Sequence, residues 1–336
     1  MKILVTGGTG YIGSHTIVDL LQNGFEVVSA DNYHNSRPGV LDGIAEITGR
    51  RVVNHAIDLA DRAATRQLFA AERFDGVIHF AAYKLVGESV EQPLAYYRNN
   101  VNSLLNVVEG LRAQGNSNLV FSSSCSVYGN ADELPVTETT PRKQAESPYA
   151  LTKQMGEDIL TDFCRTTPDF RVALLRYFNP AGAHASGHIG EDPSNPATSL
   201  VPVITQTAAG KRPTMKVFGT DYPTRDGSCV RDYIHVEDLA HAHTKALRYL
   251  MEGRATENPA LFNLGLGEGL TVLEAIRAFE RVSGQRLNYE LGPRRPGDVV
   301  AVYADRTKAE RELKWTPARG VDEIMASAWA WEQREG

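Results

Sequence analysis

"KILVTGGTGYIGSHTIVDLL", residues 2–21, sets a short β-branched run against a glycine-rich turn and then an amphipathic stretch. Gly7, Gly10 and Gly13 fall in G-x-x-G-x-x-G spacing between a predicted strand and a predicted helix, a variant of the dinucleotide fingerprint. Glycines there allow a tight turn and let backbone amides approach a pyrophosphate at the helix N-terminus. A glycine-rich turn can be only a turn. Asp31, however, closes the next predicted strand at the separation where a carboxylate meets an adenosine ribose. Such a carboxylate accepts from ribose hydroxyls and repels a 2′-phosphate, and no arginine immediately follows it in "ADNYHNS", residues 30–36, so NAD is favoured over NADP. Asp58, in "HAIDLAD", reads either as a contact for the adenine amino group or as a helix N-cap.

Outward from this unit the first half alternates β-branched runs with helical stretches. Ile3–Thr6, Glu26–Ala30, Arg51–Ile57, Gly76–Phe80, Asn118–Ser122 and Arg171–Arg176 read as strands, with segments between them long enough for crossover helices. That pattern predicts an α/β fold with a doubly wound parallel sheet. From about Asn179 the rhythm breaks into Pro- and Gly-rich sequence with helices near 200–210, 237–252, 271–284 and 321–333, so a smaller, irregular α/β domain is expected. No repeat and no long linker separates the halves, which are expected to share a cleft.

Composition narrows the partners. The chain has 336 residues, 23% charged and 42% hydrophobic, which is ordinary for a globular protein with a sizeable core. No apolar run approaches the ~18 residues a membrane helix needs, and the run at Ile3–Val5 is too short for a signal-peptide core, so cytoplasmic residence is expected. A formal net charge of −6 argues against a nucleic-acid partner, and any anionic ligand must be held by a local cluster. Cys125, Cys164 and Cys229 are odd in number and far apart, suggesting neither a disulfide framework nor a zinc site.

Two further stretches carry chemistry. "SPYALTKQMGED", residues 147–158, places Tyr149 and Lys153 one turn apart on one face of a predicted helix that Ser147 and Pro148 would start. A free tyrosine has a pKa near 10, and making it a base at neutral pH requires lowering that by about 3 units, about 4 kcal/mol. A neighbouring ammonium supplies roughly 1–3 units, and an oxidised nicotinamide would add positive charge. The same spacing also occurs on plain solvated helices. "LVFSSSCSVYGN", residues 119–130, ends a predicted strand in hydroxyls and a thiol with no carboxylate. Ser124 could share a substrate oxygen with Tyr149, or serve only as a strand-end turn residue.

The stretches "VTGGTGYIGSH", "DNYHNS", "HFAAYKLVGESVEQPLAYYRNNV", "FSSSCSVYG", "SPYALTK", "RYFNPAGAH", "GEDP", "VFGTDYPTRDGSCVRDYIHVEDLA" and "RRPGD" span residues 1 to about 310. Together they resemble the UDP-glucose 4-epimerase family of extended short-chain dehydrogenases/reductases. The resemblance implies an NAD-binding Rossmann domain over 1–178 and a UDP-sugar-binding domain over 179–336. It implies NAD contacts at Tyr11, Ile12, Asp31, Asn32, Asn35, Ser36, Asp58, Leu59, Phe80, Ala81, Lys84, Asn99, Tyr149, Lys153 and Phe178. It implies Ser124 and Tyr149 at the sugar, and Asn179, Leu200, Phe218, Arg231, Arg295 and Asp298 around UDP. The implied reaction removes the C4 hydride and the O4 proton of the hexose, turns the 4-ketopyranose over and returns the hydride to its other face. NAD would stay bound throughout.

Two positions depart from the family pattern. Ser199 stands where asparagine is common near the nucleotide, with a shorter reach. Val302 stands where some members carry a bulky tyrosine; the smaller side chain is expected to open room near C2 of the hexose for an N-acetyl group, unless it is an ordinary buried strand valine. Rival readings are a UDP-uronate 4-epimerase, a nucleotide-sugar 4,6-dehydratase, and a redox-inactive NAD-binding regulator. The dehydratase needs an acid and a base for elimination, commonly an Asp-Glu pair just after the strand-end hydroxyl, where this chain has Cys125 and Ser126. Apolar faces near 93–113 and 148–167 suggest, through the family, a homodimer.

Overall fold

The computed structural model describes residues 1–115, 117–192, 197–295 and 299–334. The first half runs β1 (Lys2–Thr6), α1 (Tyr11–Gln22), β2 (Glu26–Ala30), α2 (Val40–Thr48), β3 (Val53–His55), α3 (Arg62–Ala71), β4 (Gly76–His79), α4 (Val86–Glu91), α5 (Pro93–Ala113), β5 (Asn118–Ser124), α6 (Pro148–Thr166) and β6 (Arg171–Tyr177). The second half runs β7 (Asn179–Ala181), α7 (Leu200–Ala208), β8 (Met215–Phe218), β9 (Val230–His235), α8 (Val236–Met251), β10 (Ala260–Leu264), β11 (Gly269–Thr271), α9 (Val272–Ser283), β12 (Tyr289–Gly292), β13 (Ala301–Val302), α10 (Thr307–Leu313) and α11 (Val321–Arg334).

Seven parallel strands form the main sheet in the order β10-β6-β5-β4-β1-β2-β3. Ile3, Leu4 and Val5 of β1 are wholly buried, as a central parallel strand covered on both faces requires. One face packs on α1 and α8 through Ile17, Leu20, Leu239, Ala246 and Leu250. The other packs on α3, α5 and α6 through Leu68, Leu104, Val107, Leu111 and Leu160. The doubly wound α/β architecture expected from the strand rhythm is present.

The seventh strand was not foreseen. After β6 the chain builds β7, α7, β8 and β9, then returns with α8 and β10 to extend the sheet beside β6 before leaving again. Sequence residues 236–264 thus belong to the core of the first sheet although they lie in the second half of the chain. Outside this sheet, β11, β9 and β13 pair together with β7 on β9, and α7, α9 and α11 enclose a separate core around Ile204, Ile276, Phe279, Ile324 and Met325. The helix starts follow local chemistry: Asp61 caps α3 from its carboxylate, Ser147 caps α6 ahead of Pro148, and Thr271 with Glu274 forms a capping box on α9. No described helix is long and apolar enough to cross a membrane.

Candidate active site

Where β1 passes into α1 the chain turns through Gly7 at φ +67°, and a Cβ on Gly7 would come within 2.9 Å of the Ala81 backbone nitrogen. Gly13 packs tighter still: its Cβ would lie 2.2 Å from the Gly7 carbonyl oxygen. Gly10 holds the N-cap position of α1 without a side-chain cap, which leaves first-turn amides for a ligand oxygen. Asp31 at the end of β2 accepts from the Thr9 amide at 3.1 Å and the Tyr33 amide at 2.9 Å, which fixes its carboxylate beside the turn. The Asp58 carboxylate accepts from the Ala60 amide at 2.8 Å, while the cap on α3 belongs to Asp61, which accepts from the Ala63 and Ala64 amides. The helix-cap alternative for Asp58 is thereby removed. Arg37, the nearest cation after Asp31, pairs with Asp192 at 3.3 Å.

These groups line one cavity of about 530 Å3 that runs from the glycine turn to β7 and β9. Every residue expected at the dinucleotide lines it: Gly7, Gly10, Tyr11, Ile12, Gly13, Asp31, Asn32, Asn35, Ser36, Asp58, Leu59, Phe80, Ala81, Lys84, Asn99, Tyr149, Lys153 and Phe178. So do Ser124, Asn179, Ser199, Leu200, Phe218, Arg231 and Arg295. Asp298 lies outside the described residues.

At the middle of the cavity, β5 and α6 meet. The Ser122 and Ser124 side chains face the cavity on alternate positions of the strand, and Ser124 Oγ also accepts from the Ser126 amide at 3.2 Å. Ser124 is therefore a turn residue and a cavity hydroxyl at once. Lys153 is buried; its Nζ donates to the Ser122 carbonyl at 2.7 Å and sits 5.9 Å from the Tyr149 ring centre. Burial pushes the Lys153 ammonium down to about 8, against the raising effect of the Glu157 carboxylate. Burial likewise pushes the Tyr149 phenol up to about 12, opposed by its hydrogen bond with Ser124. The Lys153 ammonium is bonded to the Ser122 carbonyl, and desolvation outweighs its pull on the phenol, so the positive charge of a bound nicotinamide is needed as well. Tyr177, not singled out from the sequence, also lines the cavity and hydrogen-bonds Ser122; it ends β6 in register with Ser124, a signal available only once the strands are paired.

At the far end of the cavity, Arg231 on β9 donates from Nη1 to the carbonyls of Val230 at 2.9 Å and Val299 at 2.7 Å, which steadies its guanidinium. The Arg295 guanidinium lies 5.5 Å over the Phe218 ring. Two arginines on different segments thus converge on one end of the cavity, the donor set a diphosphate calls for. The Asn179 Oδ1 acceptor is buried with no partner among the described residues, which suits a ligand donor. Ser199 turns its hydroxyl to Glu191 Oε1 at 3.4 Å, and Lys84 reaches the same oxygen at 3.4 Å.

Val302 is different. β13 pairs with β9 so that Val302 stands beside Arg231, and its side chain is buried with Val127, Tyr128, Val136, Phe178 and Ala304. It is not among the described residues of the cavity wall. Tyr303 faces the other way, beside Gly269 and Arg225, as alternate strand residues must. Val302 thus stands one layer behind the cavity wall, against Phe178, which lines it.

Residues 4–328 match the family profile described as GDP-mannose 4,6 dehydratase. The chain is 48% identical, over 99% of its length and 97% of the relative's, to the UDP-glucose 4-epimerase of Bacillus subtilis. It is 47% identical, over 99% of its length and 98% of the relative's, to that of Erwinia amylovora. The solved UDP-glucose 4-epimerase of Bifidobacterium longum in complex with NAD+ and UDP superposes with a TM-score of 0.94 at 43% identity, covering 99% of this chain and 98% of that one. The Stenotrophomonas maltophila enzyme with bound NAD and formylated UDP-arabinopyranose superposes with a TM-score of 0.96 at 44% identity, covering 100% and 98%. Near-complete coverage at such identity, on a superposable fold, means that the chain belongs to the UDP-glucose 4-epimerase family of extended short-chain dehydrogenases/reductases.

Proposed function

We propose that this protein interconverts UDP-glucose and UDP-galactose by inverting C4 of the hexose, with NAD held at the glycine turn and UDP at the arginine end. The carrying observation is the convergence of Ser124, Tyr149 and Lys153 midway between those ends of one cavity. NAD held at the glycine turn would supply an acceptor and donor for the C4 hydride and the positive charge of the oxidised nicotinamide ring. Tyr149 takes the O4 proton and later returns it, Ser124 shares the same oxygen, and the Lys153 ammonium favours the phenolate by charge. Arg231 and Arg295 grip the diphosphate while the hexose, weakly held, is free to turn.

The matching profile is named for a dehydratase, so the strand end decides between the two reactions. Elimination needs a proton acceptor and donor beside the ketone. Burial pushes the Cys125 thiol up to about 12, and Ser126 offers a hydroxyl. Neither replaces a carboxylate pair, and the hydride has no outlet other than return.

Incubation with UDP-galactose, followed by product separation, is expected to yield UDP-glucose and no 4-keto-6-deoxy sugar. UDP-glucuronate and UDP-N-acetylglucosamine belong in the same series. Turnover confined to UDP-glucuronate would overturn the substrate assignment, and no turnover with NAD bound would favour a regulator.

Homodimerisation belongs to this reading. Val86 and Val90 on α4, Leu94 and Leu105 on α5, and Leu151 on α6 are exposed, and their spacings put each pair on one helical face. Light scattering is expected to give twice the chain mass, and the Leu94→Arg/Leu105→Arg double variant is expected to give monomer. Unchanged mass in that variant would move the interface elsewhere. Cytoplasmic residence is proposed with it.

A further inference from the structure

The three serines of β5 each meet one position of a stripe on α6. Tyr149 hydrogen-bonds with Ser124, and Lys153 donates to the Ser122 carbonyl at 2.7 Å. Glu157, a further four residues on, accepts from the Ser123 hydroxyl at 2.6 Å. Ser123 points to the face opposite Ser122 and Ser124, and Arg176 is its register partner on β6. Arg176 closes a two-pronged bond on the same carboxylate, Nε to Oε1 at 2.8 Å and Nη2 to Oε2 at 2.6 Å. Both partners are almost fully buried, Glu157 at 3% and Arg176 at 4% exposure. The Arg176 guanidinium also lies 4.7 Å over the ring of Tyr128, in the 3-10 turn Cys125–Tyr128 that follows Ser124.

A buried ion pair is a poor device for stability, because desolving two charges offsets most of their attraction. Its geometry here does something else. Ser123 and Arg176, from two neighbouring strands, grip one carboxylate on α6, with Arg142 Nη1 3.5 Å from its Oε2 and the turn after Ser124 seated on the arginine, so the helix can neither slide along the sheet nor rotate without breaking a two-pronged bond. Resting on the proposed function, we propose that Glu157, clamped by Arg176, is a positioning residue for the epimerisation. It sets where α6 presents Tyr149 and Lys153 to the strand end and supplies the negative charge that holds the Lys153 ammonium.

The groups facing Lys153 are few. Glu157 and Tyr149 come from its own helix, the Ser122 carbonyl and the Phe121 ring from β5, and His79 from β4. His79 is pushed down to about 3 by burial and by Lys153, so it is neutral. Glu157 is the anion of this set. Removing its charge destabilises the ammonium, so Lys153 loses its proton at lower pH, and turnover declines earlier as pH rises.

The test compares the purified holoprotein with Glu157→Gln and with Glu157→Gln/Arg176→Met. The double variant leaves no unpaired buried charge if the single one folds poorly. The Lys153 titration is read by NMR on ε-13C-lysine-labelled protein, its resonance assigned with Lys153→Met. Glu157→Gln is expected to lower that midpoint by about one unit and kcat about tenfold, with KM for UDP-galactose within about threefold. The double variant is expected to fold and to remain slow. A double variant with wild-type kcat, or a folded Glu157→Gln with an unmoved Lys153 midpoint, overturns the proposal. Absence of epimerisation by the wild type would instead overturn the reading of the site, while the NMR midpoint still reports on the pair.

Discussion

Tyr149→Phe is expected to lower UDP-galactose turnover by about 10³-fold, in the range that loss of a general acid–base typically costs. The bound dinucleotide should remain. The substitution removes one oxygen and leaves the ring, the Lys153 bond to the Ser122 carbonyl, and the glycine turn on the far side of the cavity. The phenol is pushed up to about 12, so its proton leaves only when positive charge and the substrate oxygen are both in place. Phenylalanine cannot supply that step, and the Ser124 hydroxyl is a far weaker base. Turnover of UDP-galactose and the NAD released on denaturation, measured on one preparation, check the two halves of the claim. A rate within a few-fold of wild type would remove Tyr149 as the base.

Gly13→Ala should act on the other half. The new Cβ would lie 2.2 Å from the Gly7 carbonyl oxygen and 2.9 Å from the Gly8 Cα, both backbone atoms that cannot swing aside. Helix α1 must retreat from the turn, and the first-turn amides retreat with it. Retained dinucleotide is expected to fall at least about 100-fold in affinity, about 2.7 kcal/mol, with a fold destabilised by about 1–3 kcal/mol from overpacking. Gly87→Ala is the control, since a Cβ at Gly87 on α4 meets nothing within 4 Å. NAD content and thermal melts of the two variants should separate cleanly; a Gly13→Ala protein that keeps its dinucleotide would show that the turn is not its anchor.

The contrast between these glycines shows how much of the site was legible before the fold. A glycine turn, a carboxylate closing the next strand, and a tyrosine and lysine one helical turn apart are all short-range patterns. Their meaning depends on spacing within a strand or a helix, and each of those residues lines the cavity. Asp58 needed slightly more, because Asp61 only three residues away offered the same cap chemistry and took it.

Other features had no local signal. The register of β13 on β9 turns Val302 toward Phe178 and sends Tyr303 to the opposite face, beside Gly269. A shift of one residue would have exchanged the two. Tyr177 became a cavity residue only because β6 lies in register beside β5. The Pro- and Gly-rich second half hid α8 and β10 as parts of the first sheet, since nothing in Ala260–Leu264 says which distant strand it will pair with.

The sequence by itself determined the alternating α/β architecture, the glycine turn between β1 and α1, and the placing of Tyr149 and Lys153 one turn apart on α6, because these follow from backbone sterics and helical spacing. The tertiary structure decided which face each strand residue serves, where the second half rejoins the first, and that Ser123, Arg176 and Glu157 meet behind the reacting groups. Those outcomes depend on strand register and on burial, which are settled between segments far apart in the chain.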